Sequence, residues 1–276
     1  MTSAVAPFLN QIDWRRPWLA PLLPAASPVL RVPDWRAELN AQVAARALRN
    51  HRGLAIRFVP QADLPANMAY EAYISATGSV PTRDNLHDFF NAMMWLTFPQ
   101  MKVRLNALQA AEIARAAGRP DGPATPAATR GKLRDAATIF DENAALLVVR
   151  DPRWIDLLRN HQWHALFISQ RADFMRDCEP WLFGHALIEK LVKPYKAITA
   201  HAWAVAAIPE YWTMTEQHKI AWIDETVAAQ IRSGLASSSF MPLPVMGVPG
   251  WCENQGEAFY ADIAVFRPKR GTGAKK

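Results

Sequence analysis

The clearest hydrophobic pattern in the chain lies between Pro81 and Pro99, where apolar residues recur at helical spacing. At about 100° per residue, Leu86, Phe89, Phe90, Met93, Leu96 and Thr97 fall on one broad face of a helix over residues 84–98. Asp84, His87, Asp88, Asn91 and Trp95 fall on the opposite face, within an arc of roughly 100°. Thr82 or Asp84 can cap the start, because a short oxygen-bearing side chain accepts from the orphan N–H groups of a first turn. Pro99 ends this helix or begins the next one, since proline lacks the N–H and restricts the residue before it. A solvated helix face normally carries Lys, Glu, Arg and Gln, which keep their rotamer freedom. This face instead carries short groups that ligate metals, move protons or bind ligands. The competing reading is capping by Asp84 together with a buried hydrogen-bond network formed by the others.

Elsewhere the pattern is plainer. Residues 5–35 are crowded with Pro and Trp, which excludes regular helix and central strand; with Trp14, Trp18 and Trp35 the segment reads as an arm packed over the body. Asp34 caps a helix to about Asn50, and Gly53 follows as a stop. Residues 54–59 are a strand candidate, residues 65–79 a helix closed by Gly78, and residues 101–117 a helix with an Arg/Lys-bearing exterior. Residues 118–131, rich in Pro and Gly, form a loop. Ala136–Phe140 and Ala144–Val149, flanking Asp141-Glu142-Asn143, read as a β-hairpin with Asn143 as the residue best suited to positive φ. Helices are expected near 152–159, 163–170 and 180–192, a strand at 198–206, and a helix capped by Thr215 and stopped by Gly234. Residues 235–258 are expected to be a long extended loop. The fold expected is α+β, predominantly helical, with a small antiparallel or mixed sheet. Residues 1–33 form an arm, 34–268 a single domain and 269–276 a basic disordered tail.

Two further segments bring reactive groups together. Asp135, Asp141 and Glu142 lie around the expected hairpin. Hard carboxylate oxygens can hold a divalent ion, although Asp and Asn also favour turns through local hydrogen bonds, and the turn reading is preferred. His185 and Glu189 are four residues apart and share a helix face with Trp181, Ile188 and Val192. They can form a structural hydrogen bond or supply two metal ligands. His201 and Trp203 point to the same side of a strand, and His201 is read as a core residue. No role is assigned to His161 or His164. The chain has no GxGxxG after a strand, no GxxxxGK[ST], no GxSxG, no HExxH and no CxxC, which weakens nucleotide-binding, serine-hydrolase and zincin readings.

The charge changes the picture less than its size suggests. Of the formal +6, five charges come from Arg267, Lys269, Arg270, Lys275 and Lys276, leaving the body at +1. A dedicated nucleic-acid binder carries its charge as a patch on the fold, so that role is disfavoured. Cys178 and Cys252 make neither a disulfide framework nor a zinc site. The N-terminus lacks a basic n-region and Asp13 interrupts its apolar stretch. The apolar runs are far shorter than the ~20 residues of a membrane span. A cytoplasmic protein without a membrane partner is expected.

The segments PTRDNLHDFFNAMMWLTFP, KVRLNALQ, LRDAATIFDENAALLV and PLPVMGVPGW occur in this order and resemble the bacterial family of domain of unknown function 3025, over about residues 30–268. The resemblance implies one family-wide domain in a bacterial protein and carries over no activity, cofactor or catalytic residue. Two readings follow from the residues themselves. In the first, a metal-dependent hydrolase-like enzyme uses Asp84, His87, Asp88 and Asn91 as one wall of a site. Asp135, Asp141 or Glu142, with His185 and Glu189, form the other wall around a divalent metal ion. In the second, the Trp-rich arm and the PLPVMGVPGW loop form a contact surface for a protein partner and the polar stripe is structural.

Overall fold

The computed structural model describes residues 6–118 and 131–269. The loop expected at 118–131 and the tail expected at 269–276 lie almost wholly outside these residues. In chain order the elements are α1 (Leu23–Val29), α2 (Trp35–Ala45), β1 (Arg57–Pro60), α3 (Tyr70–Thr77), β2 (Ser79–Thr82), α4 (Leu86–Thr97), α5 (Pro99–Ala117) and α6 (Lys132–Asn143). They continue with β3 (Ala144–Val149), α7 (Arg153–Arg159), α8 (Arg171–Asp177), β4 (Cys178–Leu182), α9 (His185–Lys190) and β5 (Thr199–Ala206). The last are α10 (Glu216–Ser233), β6 (Met241–Pro244) and α11 (Glu257–Tyr260). The fold is α+β and mostly helical. Among the described residues no helix is long and apolar enough to cross a membrane.

The chain divides into two compact units, one of residues 1–142 and 214–237, the other of residues 143–213 and 238–276. In the first unit the arm is not extended. It folds into 3₁₀ turns at Pro7–Gln11 and Pro17–Leu22 and then into α1, each with a proline in its first two positions. Proline at the first positions of a short helix removes only N–H groups that would be unpaired anyway, so a proline-rich segment can be helical where its turns are short. Trp18 and Trp35 are buried. Asp34 caps α2 by accepting from the Ala37 N–H at 2.9 Å. Gly78 ends α3 at φ +74°, where an added Cβ would lie 2.3 Å from the Ala55 carbonyl oxygen. β1 and β2 pair in parallel, with Arg57 opposite Ser79. α4 is buried on all sides from Asp88 to Thr97, so its polar face is not a solvent face.

α10 docks on α5 through one carboxylate. Asp224 accepts from the Gln100 and Met101 N–H groups, each at 2.9 Å, and so pairs two orphan donors of the first turn of α5. Burial pushes its carboxyl up from the ordinary 3.8 to about 7, against the opposing pull of those two hydrogen bonds. A raised folded-state value means that the stability contributed by this group is fully present below pH 3.8 and is lost as the pH rises through 7. Denaturant unfolding of wild type and Asp224→Asn between pH 4 and 8 should show this component of the pH dependence in wild type and its absence in the variant.

The second unit is built on a four-stranded sheet in the order β4-β3-β5-β6. β3 pairs in parallel with β5 and antiparallel with β4, and β6 is antiparallel to β5. All six residues of β3 are buried, as expected of a central strand covered on both faces. Three sequence expectations change here. Residues 132–143 are a helix running straight into β3, not the first arm of a hairpin. Ala136, Ala137, Phe140 and Asp141 form its buried stripe, a spacing that a short apolar run does not distinguish from a strand. Residues 178–182 are the strand β4, so the helix expected at 180–192 begins only at His185. Residues 241–244 are the strand β6 despite Pro242 and Pro244. Both proline-bearing strands lie at sheet edges, where a missing N–H is tolerated. Residues 165–169 make a π-helical turn, and His201 is exposed on β5 with Nδ1 2.8 Å from the Asn143 amide nitrogen.

The segment after β6 is held by side chains. Gln255 donates to the Met246 and Val248 carbonyls at 2.7 Å each and accepts from the Gly250 N–H at 2.9 Å. The Tyr260 hydroxyl donates to the Gly247 carbonyl at 2.9 Å. Leu243, Val245, Met246 and Val248 are all buried, so most of this loop is packed into a core. Gly184, just before α9, sits against the backbone of Asn143 and Ala144, and an added Cβ would lie 2.5 Å from their atoms. Gly184→Ala should therefore destabilise the protein by about 1–3 kcal/mol or more, the range for overpacking, as read from denaturant midpoints.

Candidate functional site

The polar residues of α4 divide by what holds them. Asn85, not Thr82 or Asp84, is the cap, accepting from the Asp88 N–H at 2.8 Å. Asp84 lies outside the helix and accepts from Trp35 Nε1 and Arg36 Nη2, both at 2.9 Å. Asp88 is buried and accepts from the Arg83 N–H at 2.6 Å, from Arg83 Nε at 3.0 Å and from Arg83 Nη2 at 3.1 Å. A carboxylate in a bidentate guanidinium fork is a fixed acceptor. Both aspartates therefore have structural partners at the start of α4, Asp84 with Trp35 and Arg36 and Asp88 with Arg83.

Asn91, one turn further along α4, belongs to a buried network. Its side-chain oxygen accepts from Lys102 Nζ at 2.8 Å, and its amide donates to the Tyr70 hydroxyl at 3.0 Å. Lys102 Nζ also donates to Asp141 Oδ1 at 2.5 Å and lies 5.6 Å from the ring centroid of Trp95. Beside them the Asn106 amide donates to Glu71 Oε2 at 2.6 Å. Burial, with the negative charge of Asp141 second, raises the Glu71 carboxyl above the usual carboxylate range. Burial likewise raises the Tyr70 hydroxyl well above its ordinary value. The seam these residues line is too tight to hold a water molecule, so the network is closed and Asn91 is committed to it.

His87 precedes Asn91 by four residues on α4, and Glu142 follows Asp141 on the last turn of α6. The network that joins Asn91 to Asp141 thus fixes the two helices that carry His87 and Glu142. A His87 ring nitrogen and a Glu142 carboxylate oxygen lie within 4.8 Å of each other, close enough to share a metal ion. Of the other carboxylates expected to take part, Asp141 is engaged by Lys102. Asp135 is exposed six residues earlier on α6, about 9 Å along a helix axis from Asp141, and is not brought into the group. In the second unit His185 is buried as the first residue of α9, and Glu189 is half-buried one turn later.

A family model for proteins of unknown function (DUF3025) matches residues 56–270. The chain belongs to this family. The matched span carries the four family segments found in the sequence, together with His87, Glu142 and every member of the Lys102 network. The arm and α2 precede it. No curated protein and no solved structure matches the chain, so for this DUF3025 protein the residues themselves must carry any functional argument.

Lys102, Tyr70, Glu71 and Asn106 were not singled out by the sequence pattern. A signal was present: Lys102, Asn106 and Gln109 follow one helical stripe with Met101, Leu105 and Ile113, and all six are buried. The network makes a double-mutant prediction. Lys102→Met alone leaves the buried Asp141 carboxylate without its cation and should cost about 3–5 kcal/mol. Lys102→Met combined with Asp141→Leu should recover most of that loss, as measured by denaturant unfolding of the wild type, both single variants and the pair.

Proposed function

We propose that this protein binds a divalent metal ion through His87 and Glu142 and uses it in a hydrolytic reaction at an acyl or phosphoryl group. The observation that carries this reading is the approach of an imidazole nitrogen and a carboxylate oxygen to within 4.8 Å, on helices tied together by a closed charged network. An imidazole with a carboxylate suits a first-row transition ion. A site with few protein ligands leaves coordination positions for water and substrate, which is the arrangement of catalytic rather than structural centres. A metal bound there would polarise a substrate oxygen and lower the pKa of a bound water. Asn91, Lys102 and Asp141 act behind the pair, as supports that hold α4 and α6 in place.

The alternative of a docking surface made by the Trp-rich arm and the PLPVMGVPGW loop has less support, because Trp18, Trp35 and residues 243–248 are buried. The metal reading is tested by elemental analysis of untagged protein purified without chelator and then incubated with Mg, Mn, Zn or Fe. Close to one equivalent of one ion is expected. His87→Ala and Glu142→Gln should each lose it while melting within a few degrees of wild type. The same measurement on His185→Ala tests the α9 histidine as a ligand in its own right. Wild type that takes up no ion, or a His87→Ala variant that binds as wild type does, overturns the proposal.

A further inference from the structure

The first unit contains a second feature that shares no residue with the His87–Glu142 pair. A cleft of about 400 Å³ opens between the turn after α2, the first half of α5 and the end of α10. That volume lies in the range of small-molecule sites. Its charged lining is all positive: Arg49, Arg104 and Arg232 contribute to it beside the neutral polar His51 and Gln100, and no Asp or Glu does. The rest is mainly apolar, from Leu48, Pro99, Val103 and the alanines beside them.

The basic side chains of this cleft differ in how they are held. Arg49 donates to the Gly53 carbonyl at 2.8 Å, and His51 Nε2 lies 2.8 Å from the Ser75 hydroxyl oxygen. Arg104 and Arg232 form no ion pair among the described residues, and Arg104 Nε is buried without a hydrogen-bond partner. Burial, and then the neighbouring charge of Arg232, holds the Arg104 guanidinium below its usual range. Burial, with Arg52 and Arg104 nearby, lowers the His51 imidazole as well. Folding has thus gathered like charges in a concave, partly desolvated place and left a buried donor unpaired, an arrangement that an anion would relieve. Asp224, at the start of α5, is turned to the Gln100 and Met101 N–H groups and forms no ion pair with either arginine among the described residues. Those N–H groups are therefore already taken, and the guanidiniums must carry the recognition.

We propose that this cleft binds a small phosphomonoester, with Arg104 and Arg232 on the phosphate and the apolar wall of Leu48, Pro99 and Val103 against its organic body. Planar guanidiniums match the tetrahedral oxygens of phosphate with paired hydrogen bonds. The apolar wall distinguishes an organic phosphate from the free ion. His51 at the rim, already paired with Ser75, shapes the entrance without adding a full charge.

The test is titration of the full chain with phenyl phosphate, followed by calorimetry, beside inorganic phosphate, benzoate and a short single-stranded oligonucleotide. Phenyl phosphate should bind at least tenfold more tightly than inorganic phosphate or benzoate. Arg232→Gln and Arg104→Gln should each weaken it at least tenfold, while Arg159→Gln, on a surface helix of the other unit, should leave it unchanged. Thermal melts of the two cleft variants without ligand should match wild type or rise, because each removes like-charge repulsion. Arg232 is exposed, so that variant carries the test should Arg104→Gln fold poorly. The proposal is overturned by equal affinity for phenyl phosphate and inorganic phosphate, which marks an adventitious ion only. It is equally overturned by tighter binding of the oligonucleotide, by no binding at millimolar concentration, or by affinities indifferent to both substitutions.

Discussion

Lys102 places a full positive charge in the interior of a helical layer, and the elements around it are arranged to keep that charge satisfied. Its ammonium group meets the Asp141 carboxylate, the Asn91 side-chain oxygen and the face of Trp95. Desolvating a lysine costs several kcal/mol unless its donors are matched, so α4, α5 and α6 are tied to one another at this point. Tyr70 extends the same arrangement to α3 through Asn91. Hydrophobic burial supplies the bulk of the driving force but is indifferent to small shifts of one helix along another. A three-donor cation with partners on two other helices is not, and it fixes their register.

That register has a chemical consequence. His87 and Asn91 are one turn apart on α4, and Asp141 and Glu142 are adjacent on α6, so matching Asn91 to Asp141 through Lys102 also sets the separation of His87 and Glu142. The carboxylates at the start of α4 have partners outside this network. Asp84 and Asp88 are occupied by arginines at the helix start, where carboxylates also complement the positive end of the helix dipole. α5 then has two working faces. Lys102, Asn106 and Gln109 turn inward, whereas Val103, Arg104 and Ala107 line the cationic cleft beside α10.

In the other unit the constraint is the sheet. β3 is internal and apolar throughout, and the two edge strands, β4 and β6, carry the prolines that an internal strand could not. The close approach of Gly184 to the Asn143–Ala144 backbone leaves no room for a side chain there. It fixes where α9 starts, and with it the position of His185.

Local chemistry alone determined a good part of this protein. Capping by Asp34 and Thr215, the left-handed glycine at Gly78, proline at the first position of α5, and the periodicity of α4, α5 and α10 are all effects within a few residues. These elements were legible in the sequence, as were the α+β class and the family. The tertiary structure decided the rest where the local signal was degenerate. A short apolar run at 136–140 fits helix and strand equally, and only burial of one stripe selects helix. Proline bars β4 and β6 from a sheet interior but not from its edges, and strand order is a long-range property. The polar stripe of α4 was visible, but not its meaning: whether an aspartate is a ligand or an anchor depends on which cation reaches it, and Arg36 lies 48 residues from Asp84. Lys102 resembled any surface lysine until partners 11 and 39 residues away enclosed it.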